Sequence, residues 1–214
     1  MKTFLLTFFG ISACALVSFL NFEPGIIGAA SSATGTTTVT LIVDSQISVT
    51  PDATIAMSPN INMTQDTSIG SGNFVIKTTD TNGYTLSFRA STTPAMRNGS
   101  DSFTDYSDAG SPESWSVTAG AFEFGFSAYG DDVPASWDAG QTSCGSAGAD
   151  SLTSSVKWRG FTGVTPITGV ATKASETTRA GSTIVLCVAA EQGNSVNAPS
   201  GTYNATVVGT ATTQ

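Results

Sequence analysis

The sequence predicts an all-β protein, built as an antiparallel β-sandwich with long loops. Apolar and polar residues alternate with period two in several windows, as they do along strands that bury one face. No window shows the apolar spacing of an amphipathic helix. Ser and Thr together fill 61 of the 214 positions, and their short hydroxyl side chains favour strands and turns because they compete with helical hydrogen bonds.

The first predicted strand covers residues 38–50, where Val39, Leu41 and Val43 occupy odd positions and most even positions are polar. Thirteen extended residues would reach roughly 43 Å, which is longer than most strands. We therefore expect a bend or a change of sheet near Asp44.

Residues 73–79 and 84–90 are the next two predicted strands, and an Asn-Gly pair lies between them. Asn-Gly pairs favour the positive φ angles that tight hairpin turns need. The sequence therefore predicts a hairpin whose inward-facing side chains share one layer: Phe74, Ile76, Tyr84, Leu86 and Phe88.

The second half of the chain continues the same pattern. Further strands are predicted at residues 115–117, 121–126, 182–189 and 203–208. The third of these is apolar throughout, which is typical of a strand in the middle of a sheet. Three stretches without a clear period are predicted to be loops: residues 91–112, 129–155 and 163–181.

The N-terminus is predicted to be a signal peptide over residues 1–30. Lys2 is followed by an uncharged apolar run, and small residues surround the expected cleavage point near Ala30. Two alternatives remain open. Cys14 follows small residues and resembles the lipid-attachment site of a lipoprotein, and an apolar run of this length can also stay in place as a membrane anchor.

Cleavage would leave a Ser/Thr-rich linker at residues 31–37 and a single β-sandwich domain at residues 38–214. Such a chain is expected outside the cell or at the cell surface. It would contact a membrane only through an uncleaved or lipidated N-terminus.

The composition excludes several classes of function. Charged residues make up 11% of the chain and the net charge is -8, so we expect no basic patch and no binding to nucleic acid. The chain contains no His, which removes Ser-His-Asp and Cys-His catalysis and His-based zinc sites. We therefore expect a non-catalytic protein that requires no cofactor.

Removal of the leader would leave two cysteines, Cys144 and Cys187. In an exported chain two cysteines are expected to pair, because an oxidising compartment does not keep thiols reduced. The bridge would join a Gly/Ser-rich loop to a strand. Closing this loop is expected to stabilise the fold by roughly 3–4 kcal/mol in the chain-entropy model.

Acidic residues gather in two of the predicted loops. Asp101, Asp105 and Asp108 lie in the first, and the second holds three more, Asp131, Asp132 and Asp138. Oxygen-rich loops can bind Ca²⁺, although neither stretch has the spacing of an EF-hand loop. The favoured interpretation is a solvated acidic surface, with a Ca²⁺ site in the first loop as the alternative.

Trp137 and Tyr129 are the candidates for binding a ligand. Both fall in the longest predicted loop, and aromatic faces suit partly apolar ligands such as sugars. Large aromatic residues serve more often as core or loop anchors, and both interpretations also apply to Trp115, Trp158 and Tyr106.

Glu123 is the carboxylate whose neighbours are best placed to raise its pKa, because Phe122 and Phe124 flank it on a predicted strand. A glycoside hydrolase works with two carboxylates and needs no His. Strand alternation, however, directs Glu123 away from the two rings, toward solvent if the rings are in the core. An enzyme is therefore disfavoured.

Three short motifs resemble, in this order, secreted bacterial immunoglobulin-like β-sandwich proteins of the surface-layer and pilus-subunit type. They are V-D-S-Q-I-S-V-T-P from Val43, N-G-Y-T-L-S from Asn82 and A-P-S-G-T-Y-N-A-T-V from Ala198. The sequence W-S-V from Trp115 is also similar to the W-x-L motif of Gram-positive cell-wall-binding modules, but no such motif follows Tyr203. The resemblance implies an immunoglobulin-like sandwich with a structural or adhesive role and no catalytic residues.

We therefore expect an exported surface protein whose partners are cell-envelope components or copies of itself. A carbohydrate- or cell-wall-binding module is the alternative. In the first case residues 36–43 would leave their own domain and add a strand to a neighbour's open sheet edge, with Val39, Leu41 and Val43 supplying specificity. The simpler possibility is that this segment pairs within its own sandwich.

Overall fold

The computed structural model describes residues 36–137, 141–145 and 156–214. The chain divides into two units, residues 1–41 and residues 42–214, and every described strand belongs to the second. Apart from one 3₁₀ turn, Ala135–Trp137, no helix is found in these ranges, and none there is long and apolar enough to span a membrane. The strands are β1 (Ile47–Pro51), β2 (Thr67–Thr78), β3 (Tyr84–Ala90), β4 (Met96–Asn98), β5 (Asp101–Asp105), β6 (Glu113–Ser114), β7 (Phe122–Gly130), β8 (Lys157–Gly160), β9 (Ile167–Lys173), β10 (Ser182–Gln192) and β11 (Val207–Thr213).

The strands form two sheets that pack face to face. The larger sheet has the order β1-β2-β10-β7-β5-β4, with β8 beside β7 and β6 beside β8. The smaller sheet has the order β11-β3-β9. Paired strands are antiparallel except for β5 and β7. The predicted all-β antiparallel sandwich is confirmed.

The turn at the Asn-Gly pair is tight, but it does not make the predicted hairpin. The N–H of Gly83 donates to the carbonyl of Asp80 at 3.1 Å, and Gly83 has a φ of 84°. However, β2 pairs with β1 and β10, whereas β3 pairs with β11 and β9. The chain therefore crosses from one sheet to the other at this turn. Turn chemistry dictates that the chain reverses, but not that the two strands bond to each other.

The inner layer predicted for these two strands is present, because they face each other across the sandwich. Phe88 is fully buried, and its ring lies 4.8 Å from the ring of Phe74 and 6.1 Å from that of Phe126, measured between centroids. Phe74 comes from β2 and Phe126 from β7, so one β3 side chain contacts two strands of the opposite sheet. Offset and edge contacts of this kind add to the stabilisation that burial provides.

Strand β10 holds the middle of the larger sheet, as its apolar run predicts. It pairs with β2 along one side and with β7 along the other. Its alternate residues enter two different cores. Ile184, Leu186 and Val188 belong to the core between the sheets, while Cys187 and Ala189 belong to a second cluster on the outer face. Burial on both faces explains why this strand lacks the polar alternation of the others.

Several predicted boundaries are wrong. The first strand begins at Ile47 rather than at residue 38, and the closing strand begins at Val207 rather than at residue 203. Residues 115–117, predicted as a strand, lie just after β6 and outside any strand. Two of the predicted loops contain strands: β4 and β5 in the first and β9 in the last. These strands are short or rich in Thr and Gly, so they carry little periodic signal.

Replacing Phe88 with Ala is expected to lower the free energy of unfolding by about 3–5 kcal/mol. The ring is fully buried and bridges the two sheets, so its loss leaves a cavity between them. Urea unfolding of the oxidised protein measures the change. Phe88→Leu is the control, which keeps most of the volume and should lose clearly less; equal losses would contradict the bridging role.

Candidate functional site

The predicted disulfide between Cys144 and Cys187 is present, with the two Cα atoms 5.5 Å apart. Cys187 lies on β10 with its side chain on the outer face of the larger sheet and is fully buried. Cys144 lies in the segment 141–145. The bridge therefore fastens a loop onto the outer face of the sheet, at the centre of the second cluster.

Three aromatic side chains form most of this second cluster. The rings of Tyr106 and Trp115 stack with centroids 4.5 Å apart, and Trp158 meets Trp115 edge-on at 5.4 Å. None of the three is more than 5% exposed, and burial raises the pKa of the Tyr106 hydroxyl to about 12. They form a small core beneath the loops of the outer face, not a platform for a sugar.

The two predicted ligand-binding residues, Trp137 and Tyr129, do not lie together in a loop. Trp137 is 3% exposed and packs against Phe126 in the core between the sheets. Trp137 therefore has the alternative role that the sequence left open, a core anchor, because the 3₁₀ turn directs the indole inward. Tyr129 lies on β7 rather than in a loop and is half-buried.

Tyr129 lines a surface groove of about 400 Å³ beside the disulfide. The groove is bordered by small residues of β2 and of the cysteine loop: Gly70, Ser71, Ser143 and Gly145. This is the one part of the predicted ligand site that keeps an accessible aromatic face. A binding role for Tyr129 stays a prediction.

Strand alternation alone predicted that Glu123 points into solvent, but it does not. It faces the second cluster, where the register places it directly opposite Glu191 of β10. The indole N–H of Trp115 donates to Oε2 of Glu191 at 2.7 Å. Oε2 of Glu123 is buried and has no hydrogen-bond partner among the described residues.

The surroundings of Glu123 favour its protonated form. Burial raises the pKa of Glu123 above its ordinary value of 4.5, and the charge of Glu191 raises it further, while a hydrogen bond from the backbone N–H of Ser107 works in the opposite direction. Two carboxylates facing each other across paired strands repel when both are ionised. Sequence reasoning missed this pair because the two residues are far apart in the chain.

Two of the three aspartates proposed for Ca²⁺ have structural partners of their own. Asp105 accepts a hydrogen bond from the N–H of Ala95 at 2.9 Å, and burial raises its pKa. Asp108 forms an ion pair with Arg159 at 3.4 Å, and its side chain is 7% exposed. Asp101 lies half-buried at the start of β5. Within the described ranges no three metal-ligating side chains cluster, and Asp108 is not part of a solvated surface.

The second acidic group is also engaged. Asp132 accepts from the ammonium group of Lys173 at 3.1 Å and from the hydroxyl of Tyr84 at 3.0 Å. Asp131 accepts from the N–H of Thr183 at 2.8 Å. Asp138 lies outside the described residues. These carboxylates join the end of β7 to β10 in its own sheet and to β3 and β9 of the smaller sheet.

The segment proposed for assembly is the most exposed apolar part of the described chain. Residues 36–46 belong to no strand, so the expectation that this segment pairs within its own sandwich is not met. Its apolar side chains are almost fully exposed: Val39 at 88%, Leu41 at 85%, Ile42 at 79% and Val43 at 73%. We call residues 36–43 the N-terminal arm.

The arm is followed by a short anchored stretch. The carbonyl of Asp44 accepts from the hydroxyl of Thr79, and the carbonyl of Gln46 accepts from the N–H of Thr79 at 3.0 Å. The hydroxyl of Ser45 donates to Asp80 at 2.9 Å. Residues 44–46 are thereby fixed to the end of β2, where β1 begins. The bend expected near Asp44 stays a prediction, since residues 41–46 lie outside any strand.

The predicted signal peptide, its cleavage point near Ala30 and Cys14 all lie outside the described residues. Searches among protein-family models, curated proteins and solved structures found nothing that matches this chain. The fold and the site geometry are therefore the basis for any proposal about function.

Replacing Glu123 with Gln is expected to stabilise the protein at neutral pH relative to the unchanged chain. Because folding raises the pKa of Glu123, the folded state holds its proton more tightly than the unfolded state, and stability falls as the pH rises past 4.5. Gln cannot ionise, so the difference in unfolding free energy between variant and parent should grow from pH 4 to pH 7.

The matched control for this measurement is Glu176→Gln, because Glu176 is an exposed carboxylate. Its difference from the parent should stay nearly constant over the same pH range. Urea unfolding at each pH gives both differences. A flat profile for Glu123→Gln would show that the carboxylate pair does not oppose folding.

Replacing Cys144 and Cys187 together with Ser is expected to lower the free energy of unfolding by roughly 3–4 kcal/mol, the loop-closure contribution for the 43-residue separation. Thermal unfolding monitored by circular dichroism compares this variant with the oxidised parent. If the two proteins unfold alike, the bridge does not hold the outer loop in place.

Proposed function

We propose that this protein is an exported, non-catalytic structural or adhesive protein of the cell surface, with an immunoglobulin-like sandwich, and that it assembles with copies of itself by strand addition. One observation carries the proposal: the N-terminal arm presents four exposed apolar side chains immediately before an edge strand. A soluble monomer gains nothing from keeping such a segment in water, since burying each side chain is worth roughly 1.5–3 kcal/mol.

Strand addition fits the composition of the arm. Val39, Leu41 and Val43 occupy alternate positions, so in an added strand they would share one face, with Thr40 and Ile42 on the other. The backbone would supply hydrogen bonds to an open sheet edge, and the apolar face would enter the gap between two sheets. The arm contains no Pro, so every one of its N–H groups is available as a donor.

Export is supported by the disulfide. Its cysteines are buried within the second cluster, and such bridges persist in oxidising compartments. The apolar leader predicted over residues 1–30 would provide the route. Cell-envelope components are the other class of partner that this location offers.

A carbohydrate- or cell-wall-binding module is the second candidate, favoured by the groove beside Tyr129. Tyr129→Phe keeps the ring and removes the hydroxyl, whereas Tyr129→Ala removes the aromatic face. A glycan-binding protein would lose its ligand with the Ala variant and keep its assembly state. Trp137 is unsuited to this test because it belongs to the core.

Replacing Val39, Leu41 and Val43 together with Ser is expected to abolish self-association while leaving the sandwich folded, because these side chains are exposed and lie before the first strand. Light scattering over a range of protein concentrations, with negative-stain microscopy, measures the assembly state of protein beginning at Ser31. The parent should form oligomers or filaments, and the variant should stay a monomer of about 19 kDa, in proportion to the 21.8 kDa of the full chain.

The matched control replaces Thr37, Thr38 and Thr40 with Ser in the same segment. It changes as many residues, adds no charge and leaves the apolar side chains in place, so assembly should be unchanged. A parent protein that stays monomeric at every concentration would contradict the assembly proposal and favour the glycan-binding one.

A further inference from the structure

We propose that the arm of one copy docks along the outer edge of β11 in a second copy. This inference rests on the proposed self-assembly and names its acceptor. Strands at the ends of the two sheets are the places where backbone groups can receive an added strand. Apart from the two-residue β6, which is too short to accept the arm, they are β1 and β4 in the larger sheet and β11 and β9 in the smaller one.

Three of these four edges carry features that block an added strand. At β4, Arg97 exchanges two backbone hydrogen bonds with Asn204, which covers its free side. β1 has five residues and ends in Pro51, which has no N–H to donate.

The edge at β9 is irregular and partly occupied. The N–H of Thr172 already donates to the carbonyl of Asp132 at 2.9 Å. Gly169 has a φ of 72°, and the pairing of β9 with β3 is interrupted between Leu86 and Phe88. Bulges and positive-φ residues bend a strand away from the regular geometry that an added strand needs.

β11 has none of these features, and β1, which lies close to it, forms no hydrogen-bonded pair with it. It runs for seven residues, VVGTATT, with no Pro and no charged residue, and its register with β3 is continuous from Val207 to Thr213. Among the described residues β3 is its only hydrogen-bonded partner strand. The arm, residues 36–43, has eight residues and is long enough to pair along the whole edge.

Beside β11, side chains of the main core also remain partly exposed. Ile47 and Val49 of β1 and Val207 and Ala211 of β11 pack against the main core but remain partly exposed. At the centre of the same layer, Ile76, Leu86 and Phe88 have no exposure at all. A strand added outside β11 would extend the smaller sheet over β1, and its apolar face would cover these four side chains.

The anchored stretch after the arm favours a second copy over the arm of the same chain. β1 begins opposite Thr78 and β11 ends opposite Tyr84. The start of β1 and the end of β11 therefore lie at the same end of the sandwich. To lie beside its own β11, the arm would have to reverse direction within residues 44–46, which are bonded to Thr79 and Asp80. An arm from another copy has no such constraint.

Pairwise disulfide cross-linking tests the assignment. One preparation of the exported protein carries Thr38→Cys or Thr40→Cys in the arm. A second carries a single cysteine at an exposed position of one edge strand: Thr210→Cys on β11, Ser48→Cys on β1 or Thr168→Cys on β9. The two are mixed, oxidised and digested, and the joined peptides are identified by mass spectrometry.

We expect the arm to join Thr210→Cys on the order of tenfold or more above the other two positions, because docking raises the local concentration of the thiols from micromolar toward millimolar. Thermal unfolding of every variant confirms that the sandwich is intact. Adding the Val39, Leu41 and Val43 to Ser changes should remove the β11 product.

Each other outcome overturns a distinct part of the inference. Assembly with cross-links at β1 or β9 would show that the acceptor is wrong while self-assembly stands. A bridge within one molecule, in a chain carrying both Thr40→Cys and Thr210→Cys, would show that the arm docks on its own sandwich. Monomers without cross-links would overturn both this inference and the proposed function.

Discussion

Burial of β10 on both faces is the constraint on which the rest of the structure depends. Because this strand lies between β2 and β7, its inward side chains need the smaller sheet to cover them, and its outward side chains need a second cover. The aromatic cluster and the disulfide supply that second cover. Exposed Cys187 and Ala189, with their neighbours, would otherwise leave an apolar patch on the sheet.

The outer cover has an electrostatic consequence. Glu123 and Glu191 sit opposite each other at the rim of the cluster, and the indole of Trp115 reaches over to one of them. The cluster therefore combines tight aromatic packing with a carboxylate pair whose mutual repulsion opposes folding when both are ionised. The remaining acidic residues of this region avoid the problem through their own partners, such as Arg159 for Asp108.

The edge strands of the sandwich differ in whether other residues occupy their free backbone groups. On the β4 and β9 side, Asn204 and Asp132 occupy backbone groups that an edge strand would leave open. On the β1 and β11 side no comparable cover is found in the described residues, and the apolar side chains there remain half-buried. The arm and the edge of β11 thus both expose backbone groups without partner strands and apolar side chains. Pairing of the arm with the edge would bury both.

Much of this arrangement can be read from local patterns. The bounds of β3 and the central position of β10 follow from periodicity and from a continuous apolar run, which short-range physics dictates. The pairing of Cys144 with Cys187 follows from there being two cysteines outside the predicted leader. The burial of Trp137 could not be read in this way, because an indole in a turn can face either direction until the core beside it is known.

What the sequence determined by itself is the class of fold, the inner layer of Phe74 and Phe88 and the disulfide, since alternation and residue counts are properties of the chain. What only the tertiary structure decided is which strands pair. The turn at Gly83 crosses between sheets, and Glu123 meets Glu191, because hydrogen-bond register joins residues without regard to their distance along the chain. The same is true of the edge at β11, because only the pairing of all the strands leaves β11 at the end of its sheet.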